Sequence, residues 1–291
     1  MTISPAIKTE SIFRSDVLKG KVAFVTGGGS GICKGIAEAY LRHGAKVSIV
    51  SRSQDRLDVA AAEMRKTIPG AEVLAIAADV REPQQLEAAA KATADKFGRI
   101  DILICGAAGN FLAPAESLSY RAFRTVIEID LIGAFNTIKA CFPYLKRSGA
   151  ASIIGISATL HYNGTALQVH PVAAKAGIDA MFKTLANEWG PYNIRCNIVS
   201  PGPIAGTEGM ERLSIPAMKE ASIARIPLRS WGEVVDIEHA CVYLATSASR
   251  YVTGATLVVD GGAWFTSGGG YDRSKVTSND LPDARKKDTK L

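Results

Sequence analysis

The stretch "KVAFVTGGGSGICKGIAEAYLRHGAKVSIVSRS", Lys21 to Ser53, decides the fold. A short β-branched run ends at Thr26, a cluster of glycines follows, and an amphipathic stretch over 31–43 leads into a second β-branched run, "KVSIVS", at 46–51. Strand, glycine turn, helix and strand make one βαβ unit. Glycines alone would mark an ordinary tight turn. Placed where a strand hands over to a helix, they let the backbone approach a pyrophosphate, and the helix N-terminus supplies free N–H groups and a positive dipole end. Gly27, Gly28, Gly29, Ser30, Gly31 and Ile32 are therefore candidate phosphate contacts. Cys33 stands where the fingerprint has its third glycine; it is small enough to keep helix and strand close.

The same alternation continues outward. Strand candidates follow at 72–78, 100–105, 151–157, 194–200 and 256–260, with helix candidates at 53–66, 83–97, 119–147, 172–189 and 233–247. Strands alternating with helices pair in parallel through crossovers. The pattern predicts an α/β fold: a Rossmann-type doubly wound parallel sheet of about seven strands, helices on both faces, in a single domain over 20–265. Residues 1–19 form an N-terminal extension. The segment 206–226, with glycine and proline at its edges, reads as a substrate lid. The last residues, 266–291, are rich in glycine, serine and charge without apolar period, and are expected to be a flexible tail.

Composition narrows the function classes. A charged fraction of 21% beside 47% hydrophobic residues fits a globular chain with a sizeable core. No run approaches the roughly 18 apolar residues of a membrane span, and the first 16 residues lack the apolar centre of a secretion signal. The net charge is +6, yet the basic residues are dispersed and have no stacking aromatics between them. That favours anionic small molecules over nucleic acid. Cys33, Cys105, Cys141, Cys196 and Cys241 are odd in number and set among apolar neighbours, which reads as reduced, buried thiols.

The second strand ends in Ser51 and Arg52, where a site for the unphosphorylated dinucleotide would carry an acid for the ribose 2′-hydroxyl. An arginine pairs with a 2′-phosphate through charge-assisted bonds, so the expected cofactor is NADPH. Asp79 and Val80, at the end of the third strand, are candidates to hold the adenine, and Ala107 follows the fourth strand.

Thr26 to Gly31, "CGAAGN" at 105–110, Lys175, "NIVSPGPI" at 197–204 and "VDGG" at 259–262 together resemble the short-chain dehydrogenase/reductase family over residues 20 to 265. That resemblance implies a nicotinamide cofactor, a homodimer or homotetramer, and a tetrad of Asn, Ser, Tyr and Lys. Only the lysine, Lys175, is present. The tyrosine position is Pro171, the serine position Ala158 with Ser157 beside it, and the asparagine position Asp130. Proline has no proton to give, so the apparatus that protonates a carbonyl oxygen is missing.

Two explanations follow: a catalytically silent nucleotide-binding protein, or a reductase whose substrate is protonated on carbon. The second needs an oxyanion stabiliser and a carbon-directed acid. "GAAGNF", "IDLIGAFN", "SATLHYNGTALQVH", "AAKAGIDAM", "PGPIAGTEG" and "DGGAW" resemble the 2,4-dienoyl-CoA reductases, and their peroxisomal branch in particular. This implies NADPH-dependent reduction of 2,4-dienoyl-CoA to trans-3-enoyl-CoA, an auxiliary step in β-oxidation of unsaturated fatty acids. The alternative is reduction of another acyl thioester, 2-enoyl or 3-oxoacyl; the absent tyrosine counts against the 3-oxoacyl form.

By that resemblance Lys175 holds the nicotinamide ribose, Pro201, Gly202 and Ile204 line the nicotinamide, and Thr207 caps its amide. Asp130 organises a proton-delivering water; a carboxylate beside a lysine is expected to stay ionised and to relay a proton rather than store one. Asp260 either completes the relay or ends a strand. His161 and His170 are acids near neutral pH or packing residues of the loop. For coenzyme A, Arg52, Arg81 and Arg212 are candidate phosphate partners, and Asn110 and Phe111 mark the thioester end. The chain ends in Thr289-Lys290-Leu291, one hydroxyl residue away from the Ser-Lys-Leu address read by the peroxisomal import receptor. The expected location is the peroxisomal matrix.

Overall fold

The computed structural model describes residues 3–207, 209–210 and 219–266. Arg212, the middle of the expected lid and the C-terminal Thr-Lys-Leu lie outside the described residues.

Seven strands form one sheet: β1 (Val22–Thr26), β2 (Lys46–Ser51), β3 (Val73–Ala77), β4 (Ile102–Cys105), β5 (Ala151–Ile156), β6 (Ile194–Pro201) and β7 (Thr256–Val259). Their order is β3-β2-β1-β4-β5-β6-β7, and every pair is parallel. Chain order reverses between β1 and β4. In a doubly wound sheet the crevice beyond the strand ends at such a point receives the ligand.

The central strands are apolar at nearly every position because both faces are covered. Side chains alternate between two cores. On one side Ala23 and Val25 meet Ile36 and Tyr40 of α1 (Gly31–Arg42), Leu57 and Met64 of α2 (Gln54–Thr67), and Ile237 of the helix over Val234–Ala245. On the other, Phe24 meets Leu86 of α3 (Pro83–Phe97), Ile138 of α5 (Gly133–Ser148), and Ile178 and Phe182 of α7 (Val169–Trp189). Local signals set the helix ends. The Ser53 hydroxyl accepts from Arg56 N–H to cap α2, and Pro83 opens α3, which stops at Gly98 with φ 86°. Among the described residues, further helices are α4 (Tyr120–Ile127), the short α6 (Leu160–Asn163) and α8 (Lys219–Arg225); the helix over Val234–Ala245 is α9. All five cysteines are buried and unpaired. None of the described helices is long and apolar enough to cross a membrane.

Two local departures from the expected pattern fall on the site. The single helix expected over 119–147 is α4 and α5 joined by a π-helical turn, Glu128–Ile132, which carries Asp130 inward to 1% exposure. Such wide turns concentrate at functional sites. Gly133 allows it to seat, since a Cβ there would lie 2.6 Å from Val80 Cγ2. The helix expected to open at 172 instead begins at Val169, so Pro171 lies in its first turn. Backbone N–H groups there have no intrahelical acceptor, and proline is tolerated.

The N-terminal extension is docked. Leu18 and Thr9 are buried, Leu18 N–H donates to His43 O, and Glu10 pairs with Arg42 at 3.2 Å.

Candidate active site

The phosphate loop and the turn after β4 meet at the switch point. A Cβ on Gly27 would lie 2.9 Å from Gly106 O, and a Cβ on Gly106 would collide with Cys33 Sγ. The missing third glycine is thus compensated across the crevice: Cys33 fits because residue 106 has no side chain. Burial pushes the Cys33 thiol up to about 12, so it is a packing group and not a nucleophile.

A cavity of about 380 Å³ runs from Gly27 and Ser30 past Ser157, Asp130 and Lys175 to Pro201, Gly202 and Thr207. At its floor, Lys175 Nζ donates to Ile156 O at 3.0 Å and lies 3.3 Å from Asp130 Oδ2. Gly109 N–H donates to Asp130 Oδ1 at 2.7 Å. Three elements hold the pair: α7 carries the lysine, the π turn the carboxylate, and the loop after β4 the N–H. Burial raises the Asp130 carboxyl above the ordinary aspartate range, outweighing Lys175 and the Gly109 N–H, which pull it down. This reverses the direction expected from the lysine alone: the desolvated carboxyl holds a proton more readily than a surface aspartate does. Pro171 and Ala158 line the same cavity. Ser157 Oγ is buried beside them and has no hydrogen-bond partner.

A second pocket, of about 150 Å³, opens at the ends of β2 and β3 and is lined by Ser51, Arg52, Arg56, Asp79, Val80 and Ala107. Ser51 Oγ is buried and unpartnered there. A hydroxyl and two guanidinium groups around one recess fit a phosphate monoester. Arg56 was not anticipated from the sequence. Its place one helical turn beyond Arg52, in the first turn of α2, is the signal that could have found it. Arg81 pairs with Asp79 at 2.5 Å and holds that carboxyl below its usual range.

A third cavity, about 450 Å³, adjoins the first through Ile32, Asn110, Ala158, Pro201 and Gly202, and is walled by Leu160, Met210 and Trp264. Its lining is mainly apolar. Asn110 Nδ2 donates to Gln168 Oε1 at 2.7 Å at the junction. Phe111 stacks on His170 at 4.3 Å. His170 is fully buried, and burial lowers its pKa, with Phe111 and Asp130 opposing the shift. His161 Nε2 lies 3.0 Å from Asp179 Oδ2.

The remaining candidates are engaged locally. Asp260 accepts from Gly262 and Trp264 N–H, both at 2.8 Å, and is not among the residues lining the Asp130 cavity. Thr207 Oγ1 donates to Ile204 O and accepts from Met210 N–H, so its hydroxyl shapes the turn that closes the cavity. Ile204 is buried and forms a bridge to Gly232.

Residues 27–263 match a family model described as enoyl-(acyl carrier protein) reductase. The chain is 49% identical to a peroxisomal 2,4-dienoyl-CoA reductase, (3E)-enoyl-CoA-producing, of Danio rerio, over 91% of this chain and 89% of that one. It is 49% identical to the enzyme of the same description in Saccharomyces cerevisiae, over 90% of each chain. Among solved structures, a short chain dehydrogenase from Bacillus anthracis superposes with a TM-score of 0.76 at 38% identity, covering 84% of this chain and 97% of that one. Levodione reductase superposes with a TM-score of 0.79 at 30% identity, covering 84% and 98%.

Proposed function

Since the chain belongs to the short-chain dehydrogenase/reductase family, we propose that it reduces 2,4-dienoyl-CoA to trans-3-enoyl-CoA with NADPH. One observation carries this reading. The position that would protonate a carbonyl oxygen is Pro171, while Asp130 and Lys175 form a buried, bonded pair in the same cavity. The site has lost the acid for oxygen and kept a proton-holding group beside the cofactor cleft. Named relatives sharing nearly half their residues with this chain are reductases of this substrate.

The residues present fit the nicotinamide dinucleotide. Gly27 and Gly106 leave room where their backbones meet, and α1 presents its N-terminus to the crevice. The unpartnered Ser51 Oγ, with Arg52 and Arg56, suits the 2′-phosphate that separates NADPH from NADH. When bound, NADPH supplies the hydride.

The reaction needs a bond from hydrogen to the δ carbon of the dienoyl chain. The double-bond electrons then shift to the β–γ position and charge gathers on the thioester oxygen. Proton addition at the α carbon restores the carbonyl. Lys175 orients the ribose and, as a cation held by Ile156 O, favours the developing negative charge. Asp130, raised by burial, delivers the proton through a water, and Lys175 fixes its position. Asn110 faces the thioester end, and the apolar cavity walled by Leu160, Met210 and Trp264 takes the acyl chain. Arg52, Arg81 and Arg212 are the proposed contacts for coenzyme A phosphates, with Arg81 exchanging its pairing with Asp79 for the ligand. Thr289-Lys290-Leu291 is the proposed peroxisomal address.

The test is NADPH oxidation with a 2,4-dienoyl-CoA beside a 2-enoyl-CoA and a 3-oxoacyl-CoA, with the product's double bond located. Turnover of the dienoyl substrate to the 3-enoyl product is expected. Faster turnover of either other thioester, or bound NADPH with no turnover, overturns the reading.

A further inference from the structure

Gln168 occupies the N-cap position of α7, yet its side chain makes no capping bond. Instead its Oε1 accepts from Asn110 Nδ2 at 2.7 Å. Gln168 is 7% exposed, and the backbone around it is constrained. Leu167, the preceding residue, has φ 66°, the left-handed region that leucine rarely enters. Ala113 N–H donates to Leu167 O at 2.9 Å, tying this loop to the one that carries Asn110. The chain accepts backbone strain and gives up a helix cap in order to set one amide against another.

The contact leaves Asn110 Oδ1 buried without any hydrogen-bond partner. A buried acceptor without a donor is costly. Asn110 lines both the Asp130–Lys175 cavity and the apolar cavity, so a substrate bound across them packs against its amide. A thioester carbonyl has lone pairs and no hydrogen, and Oδ1 gains nothing from it. An amide side chain has nearly the same shape with its two ends exchanged. With both amides turned, Gln168 Nε2 donates to Asn110 Oδ1, and the Asn110 NH₂ presents its hydrogens at the free end, where a carbonyl oxygen gaining negative charge can accept them. Aspartate or glutamate at 168 could not do this while ionised, because a carboxylate only accepts.

We propose that Gln168 is the positioning residue that sets which end of the Asn110 amide meets the thioester oxygen, donating to Asn110 Oδ1 so that the Asn110 NH₂ stabilises the charge formed there. This rests on the placement of the thioester end at Asn110 given above.

The experiment compares Gln168→Glu and Gln168→Met in the full chain, with turnover of a 2,4-dienoyl-CoA followed across pH and NADPH affinity measured in parallel. Gln168→Glu accepts from the Asn110 NH₂ and turns it from the substrate. Its kcat at neutral pH is expected to fall roughly 10²–10³-fold, as for loss of one oxyanion donor. Protonation of the introduced carboxyl restores a donor, so the deficit narrows as pH falls. Gln168→Met, which leaves Asn110 free to turn, is expected to lose less than Gln168→Glu and to keep the parent's pH profile. NADPH affinity is expected to stay within a few-fold of the parent in both. Equal losses in the two variants with no pH-dependent recovery, or a Gln168→Glu enzyme as active as its parent, overturn the role of Gln168. An unvaried enzyme silent on dienoyl-CoA overturns the underlying reading of the site instead.

Discussion

Lys175 Nζ stands 3.3 Å from Asp130 Oδ2, the lysine carried by α7 and the carboxylate by the π turn that packs directly against it. Each needs the other. A buried carboxylate without a cation, or a buried ammonium without an anion, is strongly destabilising. Burial nonetheless outweighs the lysine and raises the Asp130 carboxyl, which suits the proton-delivering role proposed for it.

Asp130→Asn keeps the shape and an acceptor for the Gly109 N–H while removing the titrating group. Turnover of 2,4-dienoyl-CoA is expected to fall by roughly 10²–10⁴-fold, the usual range for loss of a general acid. NADPH affinity, read by fluorescence titration, should change by no more than a few-fold. A variant that turns over at the parent rate would remove Asp130 from the mechanism.

Arg52 and Arg56 border the recess that holds the unpartnered Ser51 hydroxyl. Charge-assisted bonds to a phosphate contribute on the order of 1.5–3 kcal/mol. Arg52→Gln is therefore expected to raise the KM for NADPH roughly tenfold to a hundredfold and to leave the KM for NADH nearly unchanged, with Arg56→Gln following in the same direction. Equal weakening of both cofactors would assign the two arginines to general steering of anions.

The sheet was legible in the sequence because each strand is a β-branched run bounded by turn residues, and all seven fall within about two residues of their expected ends. Lys175 and Asp130 were legible because they occupy positions matched in the family pattern. The π turn was not, since an extra residue in a helical turn leaves the apolar spacing of 119–147 nearly intact. Gln168 was equally hidden. Its role depends on a loop-to-loop contact between residues 58 apart, and no local pattern records such a contact. The direction of the Asp130 shift needed burial, which only the fold supplies.

Gly106 and Cys33 form one packing unit, since a Cβ at 106 would collide with Cys33 Sγ. Gly106→Ala alone is expected to destabilise by about 1–3 kcal/mol, the range for overpacking a full core. Combined with Cys33→Ala, which removes the sulfur, most of that loss should be recovered, and chemical denaturation of the four proteins of the cycle measures the coupling. Additive losses would mean that the two residues do not share the space.

Glu238 gives a stability prediction whose sign can be worked out. It lies on α9, 6% exposed, and pairs with Arg42 Nη2 at 2.5 Å. Burial raises its carboxyl to about 7 from the usual 4.5, with Arg42 opposing and the nearby Glu38 and Glu10 adding to the rise. The folded state therefore binds a proton that the unfolded state has released. The favourable contribution is full below the unfolded value near 4.5 and is lost as pH climbs through about 7. Glu238→Gln, which cannot ionise and still accepts from Arg42, is expected to be more stable than the parent above pH 7 by roughly 1–3 kcal/mol. Below pH 4.5 the two should converge. Urea unfolding at pH 5 and pH 8 checks this: a parent whose stability rises over that interval relative to Glu238→Gln would show that Arg42 holds the carboxylate low and that burial does not prevail there.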